Sequence, residues 1–333
     1  VITSDAGAGI LYNGISIRGV IKKSTNITIN GIPFNDAESM GTYWVNLPDF
    51  ASSIESLQVQ RGVGTSTNGS GAFGASINIL TDVISDKPYA EISSSFGSYN
   101  TLKNTIKFST GKINNHFELS GRLSKIDTDG YVDRAYSDLK SFFIQGTYTN
   151  GDRLIKALSF SGYEKGYQSW YGLTMDQVQE NRRQNPYTYE NEIDDYKQDH
   201  FQLHWNEKIT NYLSFNLGLN YTDGRGYYEQ YREDDDIKTY GGIVASDRNS
   251  NGDETGTTDL IRRRWLDNDF YVLNTSFNYV KNKIDLTISS SYSSYNGNHY
   301  GEVIWARSLS NTGKIRDRYY AVSYTHLTLP TKA

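Results

Sequence analysis

His200 and His204 stand four residues apart, and on a helix such a pair could share a zinc ion. Their segment, Phe201-Gln202-Leu203-His204-Trp205, alternates apolar and polar residues instead. On a strand the two rings share a face but lie roughly 13 Å apart, too far for one ion with bonds of ~2.1 Å. The pair is read as strand, without a metal. Asp247-Arg248-Asn249-Ser250-Asn251-Gly252-Asp253 opens like a calcium loop, D-x-N-x-N-G. Thr258 falls where the loop needs a bidentate glutamate, and Asp259 comes one residue late. A solvated surface loop is the plainer reading. A weak Ca2+ site on Asp247, Asn249, Asn251 and Asp253 is the alternative, and the only cofactor suggested. Gly69-Ser70-Gly71-Ala72-Phe73-Gly74 fits G-x-G-x-x-G, but Ala75–Leu80 after it reads as a strand, so no helix N-terminus awaits a phosphate. The glycines serve tight turns. Arg262-Arg263-Arg264 could hold an anionic ligand, or pair with Asp267, Asp269 and lipid phosphates. No nucleophile or acid–base pair stands out, so no enzyme is expected.

The remaining chemistry is aromatic. The 333 residues include 27 Tyr, 13 Phe and 5 Trp, with no Cys. Cysteine–zinc sites, disulfide scaffolds and thiol catalysis are excluded. A formal charge of −5 argues against a nucleic-acid partner, which needs a basic patch. Tyr167, Trp170, Tyr171, Tyr227, Tyr228, Tyr231 and Tyr240 cluster in long polar stretches with Arg225 and Arg232 among them. Aromatic and arginine side chains anchor binding surfaces; the competing role is an interfacial girdle. Trp170, Tyr228 and Tyr231 are placed in mid-loop, which favours binding.

Those loops need a scaffold. Mean hydropathy is −0.61 and no stretch approaches the ~20 apolar residues of a membrane helix. A membrane barrel reconciles that value with the aromatic content, because its strands alternate apolar-out and polar-in. From about Asp86 the chain does this: Leu213, Phe215, Leu217, Leu219 and Tyr221 alternate with Ser214, Asn216, Gly218 and Asn220. Nine strands are expected, ending near Tyr292. Short turns such as Asn150-Gly151-Asp152 and Lys281-Asn282-Lys283 alternate with long connections, Glu164 to Asp199 and Asp223 to Asp267 among them. Outer-membrane barrels connect their strands in this way. Residues 1–82 are Gly-rich with short strands, and Asp49 is placed to cap a helical turn over Phe50–Leu57. The fold class is therefore an all-β antiparallel membrane barrel preceded by a small α/β unit.

Several motifs in that first unit go together: Ile17-Arg18-Gly19; Ile27-Thr28-Ile29-Asn30-Gly31-Ile32-Pro33; Asn35-Asp36-Ala37-Glu38-Ser39; Ile54 to Gly62; and Asn68 to Ile79. In this order they resemble the second half of the plug of TonB-dependent outer-membrane receptors, across most of residues 15–82. The later strands match only in style. The resemblance implies a barrel of about 22 strands, occluded by a plug, in the bacterial outer membrane. It implies uptake of a scarce nutrient: a ferric siderophore or similar iron chelate, with haem, cobalamin or a glycan as alternatives. The partners implied are the TonB complex, outer-membrane lipid and the nutrient chelate. An open porin and a barrel-embedded enzyme are the rival readings.

The resemblance divides the chain into plug (1–82), barrel (83–322) and a tail (323–333) that lacks alternation, contains Pro330 and resembles read-through rather than native sequence. The start at Val1, without a signal peptide, is read as truncated, with the TonB box and further strands lying outside the chain. Arg18 and Arg61 are the basic plug residues that the resemblance implies meet carboxylates on the barrel wall. The ligand contacts expected are Trp170, Tyr171, Tyr228, Tyr231 and Arg232 from the loops, met from below by Tyr43 and Trp44.

Overall fold

The structure, a computed structural model, describes residues 2–4, 13–15, 24–62, 74–81 and 84–328. The first strands are β1 (Ile2–Ser4) and β2 (Asn13–Ile15), paired antiparallel. Next come β3 (Thr25–Ile29), β4 (Ile32–Pro33), β5 (Ile54–Arg61) and β6 (Ala75–Thr81). These last four form a sheet ordered β4-β3-β6-β5, in which β3 and β6 are parallel. In β3, Ile27 and Ile29 alternate with Thr28 and share one face with Ile77 and Ile79 of β6; all four are buried. The expected helix over Phe50–Leu57 is corrected. Only Phe50–Ser53 is helical, a single 3-10 turn, and Ile54 opens β5. Asp49 does not cap that turn through a backbone N–H, because its carboxylate is taken by the barrel wall.

The second sheet has ten strands: β7 (Tyr89–Gly97), β8 (Thr101–Ser109), β9 (Phe117–Thr128), β10 (Ser137–Thr149), β11 (Arg153–Tyr167), β12 (Ile193–Thr210), β13 (Leu213–Asp236), β14 (Thr257–Lys281), β15 (Ile284–Ala306) and β16 (Arg318–Thr328). Each pairs antiparallel with its sequence neighbours, and β7 and β16 form the edges. The turns use residues that tolerate positive φ: Gly151 (93°) between β10 and β11, and Asn282 (56°) between β14 and β15. Among the described residues no helix is long and apolar enough to cross a membrane.

Alternation sorts the side chains as expected. Phe201, Tyr221 and Tyr271 stack across three strands on the outer face, with ring centroids 6.1 and 4.9 Å apart. On the inner face Asn206, Asn216 and Ser276 hydrogen-bond side chain to side chain, at 2.6 and 3.0 Å.

Three expectations are corrected. The strands run further than the periodicity suggested: β13 extends to Asp236 and β14 begins at Thr257, so the long connections shrink to 168–192 and 237–256. At 3.3 Å per residue the 24 residues of β13 span roughly 79 Å, far more than an apolar band ~25 Å tall. Tyr228, Tyr231 and Arg232 thus stand on a strand and not in mid-loop. Finally, residues 318–328 form a tenth strand, and within the stretch set aside as a tail Ser323 donates to Asn298 Oδ1 at 2.7 Å. Pro330 lies outside the described residues.

Candidate functional site

The small sheet lies against the inner face of the large one. Phe50, Leu47 and the isoleucines of β3 and β6 form one apolar core with Phe143, Leu158 and Phe160, inward residues of β10 and β11. Phe50 packs on Phe160 with centroids 5.1 Å apart. At Gly162 the plug backbone comes close against the wall. A Cβ there would collide with the carbonyl oxygen of Asn46 and lie 2.8 Å from Pro48 Cδ.

Polar contacts fix the orientation. Asp49 Oδ2 accepts from Thr105 Oγ1 at 2.6 Å and from Ser124 Oγ at 2.8 Å, Lys103 Nζ pairs with Oδ1, and Arg122 Nη1 lies 3.4 Å from Oδ2. Burial pushes the Asp49 carboxyl up, but the bonds from Lys103, Thr105, Ser52 and Ser124 outweigh it and hold the group at about 2. Arg122 also donates through Nε to Ser53 Oγ at 2.8 Å. On the opposite flank Tyr295 donates to Glu38 Oε1 at 2.5 Å, and His299 Nε2 lies 3.0 Å from the same oxygen. At Asp49 the carboxylate is on the plug and the cations, Lys103 and Arg122, are on the wall. Arg61 is exposed at the end of β5, with no ion pair among the described residues, and Arg18 lies outside them.

Above this contact is a cavity of about 510 Å³, within the range of small-ligand sites. Its floor is plug: Phe34, Asn35, Asp36, Thr42, Tyr43 and Trp44. Its walls are the inward residues of β11 to β15, including Glu164, Asp194, Tyr196, Tyr228, Arg264 and Tyr295. Tyr196 lies flat on the wall because Gly224 and Gly226 face it from β13. A Cβ on Gly226 would come within 2.5 Å of Tyr196 Cα, and one on Gly224 would strike the phenol oxygen. Arg264, the only guanidinium lining the cavity among the described residues, donates through Nε to Tyr320 at 3.0 Å and stands 5.7 Å from the Tyr228 ring.

Four of the expected ligand residues meet here: Tyr43 and Trp44 from below, and Trp170 and Tyr228 from the side, the latter two edge to face at 5.7 Å. Three do not line the cavity. Tyr171 packs on Tyr187, Tyr231 donates to Asp259 at 2.6 Å, and Arg232 pairs with Asp235 at 2.9 Å. The last two brace the outer loops, together with a small core of Tyr240, Val244, Leu260 and Val303. The arginine triplet is placed differently too. Register brings Arg263 opposite Glu229, at 2.7 Å, and Arg262 within 3.9 Å of Asp235, whereas Asp267 and Asp269 are further down the strand.

The loop from Asp247 to Asp253 is tied down by its own hydrogen bonds and those of its neighbours. Asp247 is committed to Ser308 at 2.6 Å, to Thr258 at 3.0 Å and to Arg307, while Asn249 Oδ1 accepts the backbone N–H groups of Asn251 and Asp253. The Asp247 and Asn249 side chains thereby hold the loop together. Tyr196, Glu164 and Tyr295 were missed, whereas Arg264 belongs to the triplet read as able to hold an anionic ligand. For Tyr196 the signal was period 2 continuing through Asp194, Tyr196, Gln198 and His200.

The family model for the TonB-dependent receptor plug domain matches residues 1–76. The chain carries a TonB-dependent receptor plug. Solved structures similar to it share the receptor fold, plug and barrel together. The ferric citrate transporter FecA, unliganded, has 15% identity and a TM-score of 0.65, over 95% of this chain and 46% of its own. The ferric-catecholate import receptor Fiu of E. coli K12, in its open form, has 14% identity and 0.64, over 97% and 50%. The siderophore receptor PiuA of Acinetobacter baumannii has 14% identity and 0.62, over 98% and 49%. The chain thus spans about half the length of the structures it matches. No curated protein sequence matches it.

Proposed function

We propose that the chain belongs to a receptor that takes up an iron chelate across the bacterial outer membrane with energy from the TonB complex. One observation carries the reading. The cavity is shared between plug and wall, so a ligand seated in it touches both Trp44 of the plug and Trp170 and Tyr228 of the barrel side. Such a ligand can report its presence to the element that must move. The aromatic surfaces suit a chelate's organic shell, and Arg264 suits its anionic groups. The similar structures named for ferric citrate, ferric catecholate and siderophore point to the same class. An open diffusion pore is the poorer reading, because the apolar and ionic contacts that seat the plug would serve no purpose in one.

The test is equilibrium binding to the whole purified receptor in detergent, read by quenching of tryptophan fluorescence. Ferric citrate, a ferric catecholate and a ferric trihydroxamate are the probes. Saturable quenching at micromolar or lower concentration is expected with at least one of them. No quenching by any of the three would remove the proposal.

A further inference from the structure

The cavity has a feature that its aromatic lining does not explain. Glu164 faces inward from β11 with 4% of its surface exposed, and its Oε2 has no hydrogen-bond partner among the described residues. Lys165, its neighbour in sequence, points to the opposite face by strand alternation. Tyr196 is its partner across the ladder, and Asp194, one inward step further along β12 opposite Gly166, also lines the cavity. Asp36 joins them from the plug, its Oδ1 accepting the Ser39 N–H at 2.6 Å. Among the described residues, three carboxylates therefore line the cavity alongside the single guanidinium of Arg264.

A buried carboxylate oxygen without a donor is costly. Native proteins keep such atoms where something else supplies the partner. The lining sets the chemistry of that partner. It must donate hydrogen bonds, and a positive charge suits a site with three acids.

We propose that Glu164, flanked by Asp194 and Asp36, is a subsite for a protonated amine on the ligand. The receptor then selects chelates that carry a cationic arm over wholly anionic ones. Tyr196 and Trp44 enclose the aliphatic part of the arm, and Arg264 takes the anionic part of the chelate. The inference rests on the uptake reading above and adds the charge of the preferred ligand.

The experiment uses the whole receptor and two ferric trihydroxamate probes, one with a free primary amine and the other with that amine acetylated. A simple aliphatic diamine without iron is the third probe. The amine-bearing chelate is expected to bind at least tenfold more tightly than its acetylated twin. In Glu164→Gln the preference should shrink to within twofold. Equal binding of the twins to the unaltered receptor overturns the subsite and leaves the uptake reading standing, and needs no variant to assemble. A preference that persists in Glu164→Gln overturns it also. If neither chelate binds but the diamine does, in a manner abolished by Glu164→Gln, the subsite stands and the iron reading falls. If nothing binds, both fall.

Discussion

Asp49 of the plug and Arg122 of β9 lie 3.4 Å apart, carboxylate to guanidinium, with side chains only 2% and 1% exposed. Neither charge has water to fall back on. Breaking a buried pair from one side leaves the other charge uncompensated, at about 3–5 kcal/mol. Asp49→Ala is therefore expected to loosen the plug by that amount, seen as faster proteolysis of residues 24–62 and a lower urea midpoint for plug release. Unchanged protection in the variant would assign the seating of the plug to the apolar core alone.

The close approach at Gly162 gives a second steric test. A methyl group there must push the Asn46 carbonyl away, whereas one on Gly146, in β10, meets nothing within 4 Å. Gly162→Ala should cost roughly 1–3 kcal/mol of plug seating, and Gly146→Ala close to nothing. Similar protease protection in the two variants would show that the plug does not depend on this contact.

Much of this was legible beforehand, and the boundary of what was legible has a physical cause. Period 2 with lipid-facing aromatics marked β12 to β15 because the bilayer enforces apolar-out, polar-in alternation on them. Above the bilayer that constraint ends. Asp223 to Asp236 reads as loop although it is strand, since both its faces carry polar residues and Tyr. Tyr231 and Arg232 were misplaced for this reason. The plug motifs revealed the unit but not its docking: nothing local to Asp49 indicates that Lys103, Thr105 and Ser124, more than fifty residues away, will surround its carboxylate.

Glu192 sets the pH behaviour of the outer loops. It sits buried just before β12, accepting the Tyr231 N–H at 3.1 Å. Burial raises its carboxyl to about 7, against the opposing pull of that N–H and of Arg232 and Arg262, and Glu229 adds to the rise. An unfolded Glu titrates near ~4.3. Between those values the folded loop holds more protons than the unfolded one, so its stability falls as pH rises and levels off above about 7. Protease protection of residues 168–192 should be higher at pH 5.5 than at pH 8, after correction for protease activity. Glu192→Gln should flatten the difference. An unaltered pH profile in that variant would place the titrating group elsewhere.

The cavity separates the aromatic residues into two kinds. Trp170→Ala and Tyr228→Ala remove lining side chains and should each weaken chelate binding by about 1 kcal/mol or more. Tyr231→Ala removes the bond to Asp259 and should loosen the loops, with a smaller effect on affinity. Titrating the three variants with the chelate that binds best checks this order. If Tyr231→Ala proved the most damaging to affinity, the ligand would sit higher among the loops than the cavity places it.

The proposed function makes this chain the gated part of an energised importer. Uptake of a radiolabelled ferric chelate by cells producing the whole receptor tests it most directly, with TonB present and absent. Saturable uptake that vanishes without TonB, and falls about tenfold or more in the Trp170→Ala/Tyr228→Ala double variant, is the predicted result. Entry at the same rate with and without TonB would contradict it.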